Sequence, residues 1–117
     1  MANLSSTEIA DRALEALGVK AATQDATAED AARALESVTT VYSQLHKEGV
    51  APFAISAVPD WAQSALIHLA ALDLVPTFNS PDSRVTKIQA MAMKGRIDLA
   101  TQTASVRAPL PITSDYF

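Results

Sequence analysis

The chain has 117 residues, 49% of them hydrophobic and 5% aromatic, no cysteine, and a formal charge of −4. Such a length holds one core rather than two, and such hydrophobicity excludes a disordered chain. The acidic balance argues against a general nucleic-acid binder, which needs a basic stripe to displace counterions, and the lack of cysteine excludes disulfides and thiolate metal sites.

Abundant alanine with few aromatics favours closely packed helices, and an all-α fold is expected. The opening MANLSSTEIADR has neither a basic leader nor an apolar core, so no secretory signal is expected. The longest apolar run, Ala65 to Val75, is broken by His68 and Asp73 and falls short of the ~20 residues of a membrane span. A soluble chain with no membrane partner is therefore expected.

The first helix is clearly punctuated. Ser5 and Glu8 have capping-box spacing, Leu4 and Ile9 occupy the staple positions around it, and Gly18-Val19 matches a Schellman ending on Leu14. This predicts a helix over about 6–17. After the connector Lys20–Ala26, Thr27 with Asp30 forms a second N-cap. Ala31, Leu35, Val38, Tyr42 and Leu45 then alternate four and three apart as one helix face, and Gly49 stops a helix over about 28–48.

The stretch from Gly49 to Pro59 is unusually apolar for a loop. Pro52 and Pro59 forbid a continuous helix, while Phe53, Ile55 and Val58 alternate like an extended segment. The plainer reading is a loop folded over the open end of the bundle; the sharper one is an interface loop covered by another chain. Asp60 then opens a third helix at the favourable end of its dipole. Trp61, Ala65, Leu66, Leu69, Ala70 and Leu72 make that helix apolar nearly all round, which suits a central position. Pro76 is expected to end it, giving about 60–75.

Ser80 as N-cap and Pro81 at the first helical position predict a fourth helix over about 81–103, with Val85, Ile88, Ala92 and Leu99 inward. Gly95 inside it costs ~1 kcal/mol unless a neighbouring helix needs the missing side chain for close approach. The expected architecture is a four-helix bundle over 1–104 with an extended C-terminal arm over 105–117.

The residues offer no catalytic constellation, so no enzyme activity, catalytic residue, cofactor or metal is expected. His46 and His68 lack ligand spacing; His68 suits a hydrogen-bonded core position and His46 a solvated helix end. Glu29, Asp30 and Glu36 read as a solvated face, and three glycines make no phosphate loop. Met91 and Met93 fall on different faces, as core filling allows. Arg84, Lys87, Lys94 and Arg96 make the fourth helix cationic. Ordinary charge balance accounts for them; the functional reading is a lateral or DNA-facing basic surface.

The chain closes on SVRAPLPITSDYF. Pro109 and Pro111 hold Ala108 and Leu110 in extended or polyproline geometry. Val106, Leu110, Ile112, Tyr116 and Phe117 then become apolar groups on an arm of the kind that docks onto a partner.

Taken in order, ALEALGV, LHKEGV, the proline-containing apolar loop, ALIHLAALDLVPTF and RAPLP resemble the small helical head-completion adaptors of tailed bacteriophages, particularly the tail accessory factors of short-tailed phages. The resemblance implies a virion protein at the head–tail junction, present in the host cytoplasm during assembly. Its implied partners are the portal protein, neighbouring copies in a twelve-fold ring, a downstream tail protein and, non-specifically, packaged DNA that it helps retain. It also implies that the arm grips the portal, through Arg107, Pro109, Leu110, Pro111, Ile112, Tyr116 and Phe117. The alternative is a bacterial helical-bundle binding or regulatory module with a C-terminal docking peptide.

Overall fold

A computed structural model describes the backbone of residues 3–21, 23–78 and 81–107, with side chains up to residue 103. Four helices follow in order: α1 (Ser6–Leu17), α2 (Ala28–Glu48), α3 (Asp60–Phe78) and α4 (Asp82–Arg107). α3 is central and packs against all three others, while α4 lies mainly on α3.

The helix ends follow from local chemistry. The Ser5 hydroxyl accepts from the Glu8 amide at 3.3 Å, and the Glu8 carboxylate accepts from the Ser5 amide at 3.0 Å. The Thr27 hydroxyl likewise accepts from the Asp30 amide at 3.2 Å. α1 and α2 stop in the same way. Gly18 and Gly49 are left-handed, with φ of 78° and 84°, and the next amides, of Val19 and Val50, donate back to Leu14 and Leu45 at 3.0 Å. Only glycine takes that backbone shape without strain.

Two expected ends move. Pro76 lies inside α3, which continues to Phe78. A proline in the last turn forfeits one hydrogen bond, to the carbonyl of Leu72, and Val75 and Phe78 pack against the core to offset it. α4 begins at Asp82, with the Pro81 carbonyl accepting from Arg84 and Val85, and it runs to Arg107 rather than stopping near 103. Nothing before Ala108-Pro109 disfavours helix, and that dipeptide does. Ser80 lies outside the described residues.

The buried face of α2 also differs from the expected one. Ala34, Ser37, Val38 and Leu45 are buried, whereas Leu35 is 36% exposed. Ser37 replaces Leu35 because it is satisfied in the core: its hydroxyl reaches the Asp73 carboxylate at 2.8 Å and the Ala70 carbonyl at 3.2 Å. A hydropathy pattern counts serine as polar and misses this.

The inward face of α4 is Ile88, Ala92, Gly95, Leu99 and Thr103, spaced three or four apart. Its tightest point is Gly95, where a Cβ would stand 2.7 Å from the Ala65 Cα and 2.9 Å from the Ala65 Cβ. The missing side chain is what lets α3 and α4 come together. Gly95→Ala should therefore destabilise the protein by about 1–2 kcal/mol, because a backbone clash outweighs the ~1 kcal/mol gain in helix propensity. Denaturant titration checks this; a variant as stable as the parent, or more so, would refute the close-approach account.

Candidate functional site

Three regions stand out in the sequence: the arm, the apolar loop and the basic residues of α4. Of the arm residues, Arg107 is the last residue of α4, so it is helical rather than part of an extended segment. Pro109, Leu110, Pro111, Ile112, Tyr116 and Phe117 lie outside the described residues.

The loop after α2 is folded onto the bundle. Val58 is fully buried and pairs with Leu4 in an isolated antiparallel bridge, its amide donating at 2.8 Å and its carbonyl accepting at 3.0 Å. A residue so placed presents nothing to a partner, which corrects its assignment to an interface loop. Phe53 and Ile55 are half-buried against the core. The Phe53 ring meets Trp61 edge-on at 5.5 Å, and its carbonyl accepts from the Tyr42 hydroxyl. Ala51 is buried, and its carbonyl lies 2.9 Å from Nδ1 of His46, which must carry the proton there. The Val50 carbonyl accepts from the Thr103 hydroxyl at 3.1 Å, so the last turns of α4 brace the loop. The pattern is one of cover for the core, secured by polar side chains that satisfy loop carbonyls.

The basic residues do not converge. Arg84 donates to the Ala16 carbonyl at 3.0 Å and lies over Gly18, so it satisfies an open carbonyl at the negative end of the α1 dipole. Arg96 grips Glu48 at the end of α2 with two bonds of 2.7 and 2.9 Å. Both partners are about half exposed, and such pairs are worth ~1 kcal/mol or less. Lys94 pairs with Asp98 one turn on, at 2.9 Å. Lys87 is exposed and has no ion-pair partner among the described residues. It borders a shallow recess with His68, Ser83 and Arg84. His68 is half-buried there rather than in the core, with Nδ1 2.8 Å from the Ser64 carbonyl.

A groove of about 810 Å³ lies between α1 and α2. Ala10, Leu14, Ala31, Ala32 and Leu35 give it an apolar floor. Glu8, Asp11, Glu15 and Asp25 line it, with Arg12 among them. Lys20, which the sequence alone places in an unremarkable connector, is buried beside it and donates to Asp11 at 3.0 Å and Glu15 at 3.2 Å. Two carboxylates one turn apart, six and ten residues after the N-cap Ser5, are the sequence signal that a basic residue just past the helix would fold back. Met93, which its residue type suggests as core filling, is instead 69% exposed, and Ile97 four residues on is 61% exposed. Their spacing on α4 is the sequence signal of a second apolar stripe.

Comparison with protein-family models, with curated protein sequences and with solved structures finds no match to this chain. Among the described residues there is no group of three or more potential metal ligands and no helix long and apolar enough to cross a membrane.

Burial would push the Lys20 ammonium down, but its hydrogen bonds to Asp11 and Glu15 and their charges outweigh that and hold it above the ordinary lysine value. A pKa raised on folding adds stability at all pH below the unfolded value of about 10.5, and the gain disappears as pH climbs through the folded value. The stability advantage of the parent over Lys20→Met should therefore be constant near neutrality and shrink in strongly alkaline solution. Urea melts from neutral to alkaline pH test this, and an advantage that does not change with pH would show that the ammonium pairing is not its source.

Proposed function

We propose that this chain is a structural adaptor, a head completion protein, at the head–tail junction of a tailed bacteriophage. In this reading it binds beneath the portal ring, presents a platform to the next tail protein, and helps retain packaged DNA. The reading rests on the ordered sequence resemblance that runs through all four helices into RAPLP. The position of that last motif supports it. Arg107 closes α4, so the motif RAPLP, with its prolines Pro109 and Pro111 and the apolar side chains beyond them in the sequence, starts at the tip of the longest described helix.

The remaining features suit a scaffold that presents such a segment. Thr103 ties the last turns of α4 to the carbonyl of Val50, just past the end of α2. The base of the segment is thus fastened to the loop end of the bundle. The bundle itself is held by alanine-rich packing of its buried core.

The test is deletion of residues 108–117, leaving α4 whole. Circular dichroism and thermal melting should be close to those of the full chain, while binding to purified portal rings of the encoding phage should fall at least tenfold, a loss of about 1.4 kcal/mol. A truncated chain that binds the portal as well as the parent would refute the gripping role of the arm. A full-length chain that does not bind portal rings at all would refute the adaptor reading.

A further inference from the structure

Leu35, Met93 and Ile97 are the large hydrophobic residues left exposed among those described, and they lie on two surfaces that are chemically matched. On α4, the side opposite its core-facing residues carries Ala90, Met93, Ile97 and Ala100, all exposed and spaced three, four and three apart. That spacing is the seam of a helix–helix contact. It comes in addition to the inward stripe through Ile88, Ala92, Gly95 and Leu99 that α3 already covers. Lys87 and Lys94 flank the outer seam on one side.

Leu35 belongs to the groove between α1 and α2. Two adjacent helices offer a furrow into which a third helix can lay a ridge of side chains. This furrow has an alanine floor, which admits close approach. Of its four carboxylates, Asp11 and Glu15 are already held by Lys20, while Glu8 and Asp25 have no ion-pair partner among the described residues and leave the rim net acidic against Arg12. Small floor meets large knobs, and the acidic rim faces Lys87, with Lys94 beside it already paired to Asp98.

We propose that the outer seam of α4 docks into the α1–α2 groove of a second copy of this chain. The two surfaces cannot meet within one molecule. The groove is lined by α1, α2 and the connector between them, with no residue of α3 or α4, and α4 packs mainly on α3. The contact is therefore between different faces of neighbouring copies, head to tail. Repetition of such a contact closes into a ring or continues as a filament, whereas a contact between like faces would stop at a dimer. The proposal deepens the adaptor reading and rests on it for the ring setting, though both surfaces are argued from this chain alone.

The absence of cysteine makes the test direct. Leu35→Cys, Ile97→Cys and, as a control, Ala57→Cys in the exposed part of the loop are purified, and their folding is verified by circular dichroism. Pairs are mixed with a short bis-maleimide linker, free in solution and on portal rings. Leu35→Cys with Ile97→Cys should couple roughly tenfold faster than Ala57→Cys with Ile97→Cys, because a docked pair has a high effective concentration. Adding Lys87→Glu and Lys94→Glu to the Ile97→Cys chain should reduce that excess. Faster coupling of Ile97→Cys with itself would overturn the proposal in favour of contact between like faces. Coupling at the control rate under both conditions would also overturn it. Portal binding is read in the same experiment, so a chain that binds the ring without the cross-link refutes the lateral contact and leaves the adaptor reading intact.

Discussion

The close approach of α4 to α3 at Gly95 and Ala65 sets the geometry on which the other contacts depend. With few aromatic residues, the core cannot be filled by large side chains reaching across wide gaps, so the helices must come close. Alanine supplies that closeness along α3, at Ala62, Ala65, Ala70 and Ala71, and glycine supplies it at the tightest point. Small residues yield little hydrophobic stabilisation each, but they let backbones and the larger Leu14, Leu66 and Leu99 reach full contact.

Around this contact, polar side chains act mostly as fasteners for loose backbone ends. Arg84 takes a carbonyl at the end of α1, Tyr42 and His46 take carbonyls of the apolar loop, Gln63 takes that of Val58, and Thr103 takes that of Val50. A loop rich in apolar residues could be read as a docking surface, yet these bonds bind it to its own bundle. Buried loop carbonyls need such partners, so an apolar loop and the donors that serve it belong to one design.

What the fold leaves unsatisfied is then informative. Charges are paired along α4 at Arg96 and Lys94, while an outer apolar seam remains on the same helix and a groove with carboxylates in its lining lies between α1 and α2. A helix that is apolar on two opposite sides is suited to lie between neighbours. α3 is one neighbour. The head-to-tail contact would make a second copy the other.

Helix ends were legible in the sequence wherever a cap is local chemistry: Ser5 with Glu8, Thr27 with Asp30, and Gly18 and Gly49 needing a left-handed backbone. The central place of α3 was legible from its all-round hydrophobicity, and the need for a close neighbour at Gly95 from its poor helix propensity. Tertiary structure decided the rest, because those outcomes turn on partners distant in the chain. Pro76 stays inside α3 because Val75 and Phe78 find the core, and Ser37 displaces Leu35 inward because Ala70 and Asp73 accept its hydroxyl. The basic residues of α4 are dispersed because Ala16 and Glu48 lie where two arginines can reach them. Periodicity reports which face of a helix is apolar; only the packed neighbours determine which apolar face is covered and which is left for another molecule.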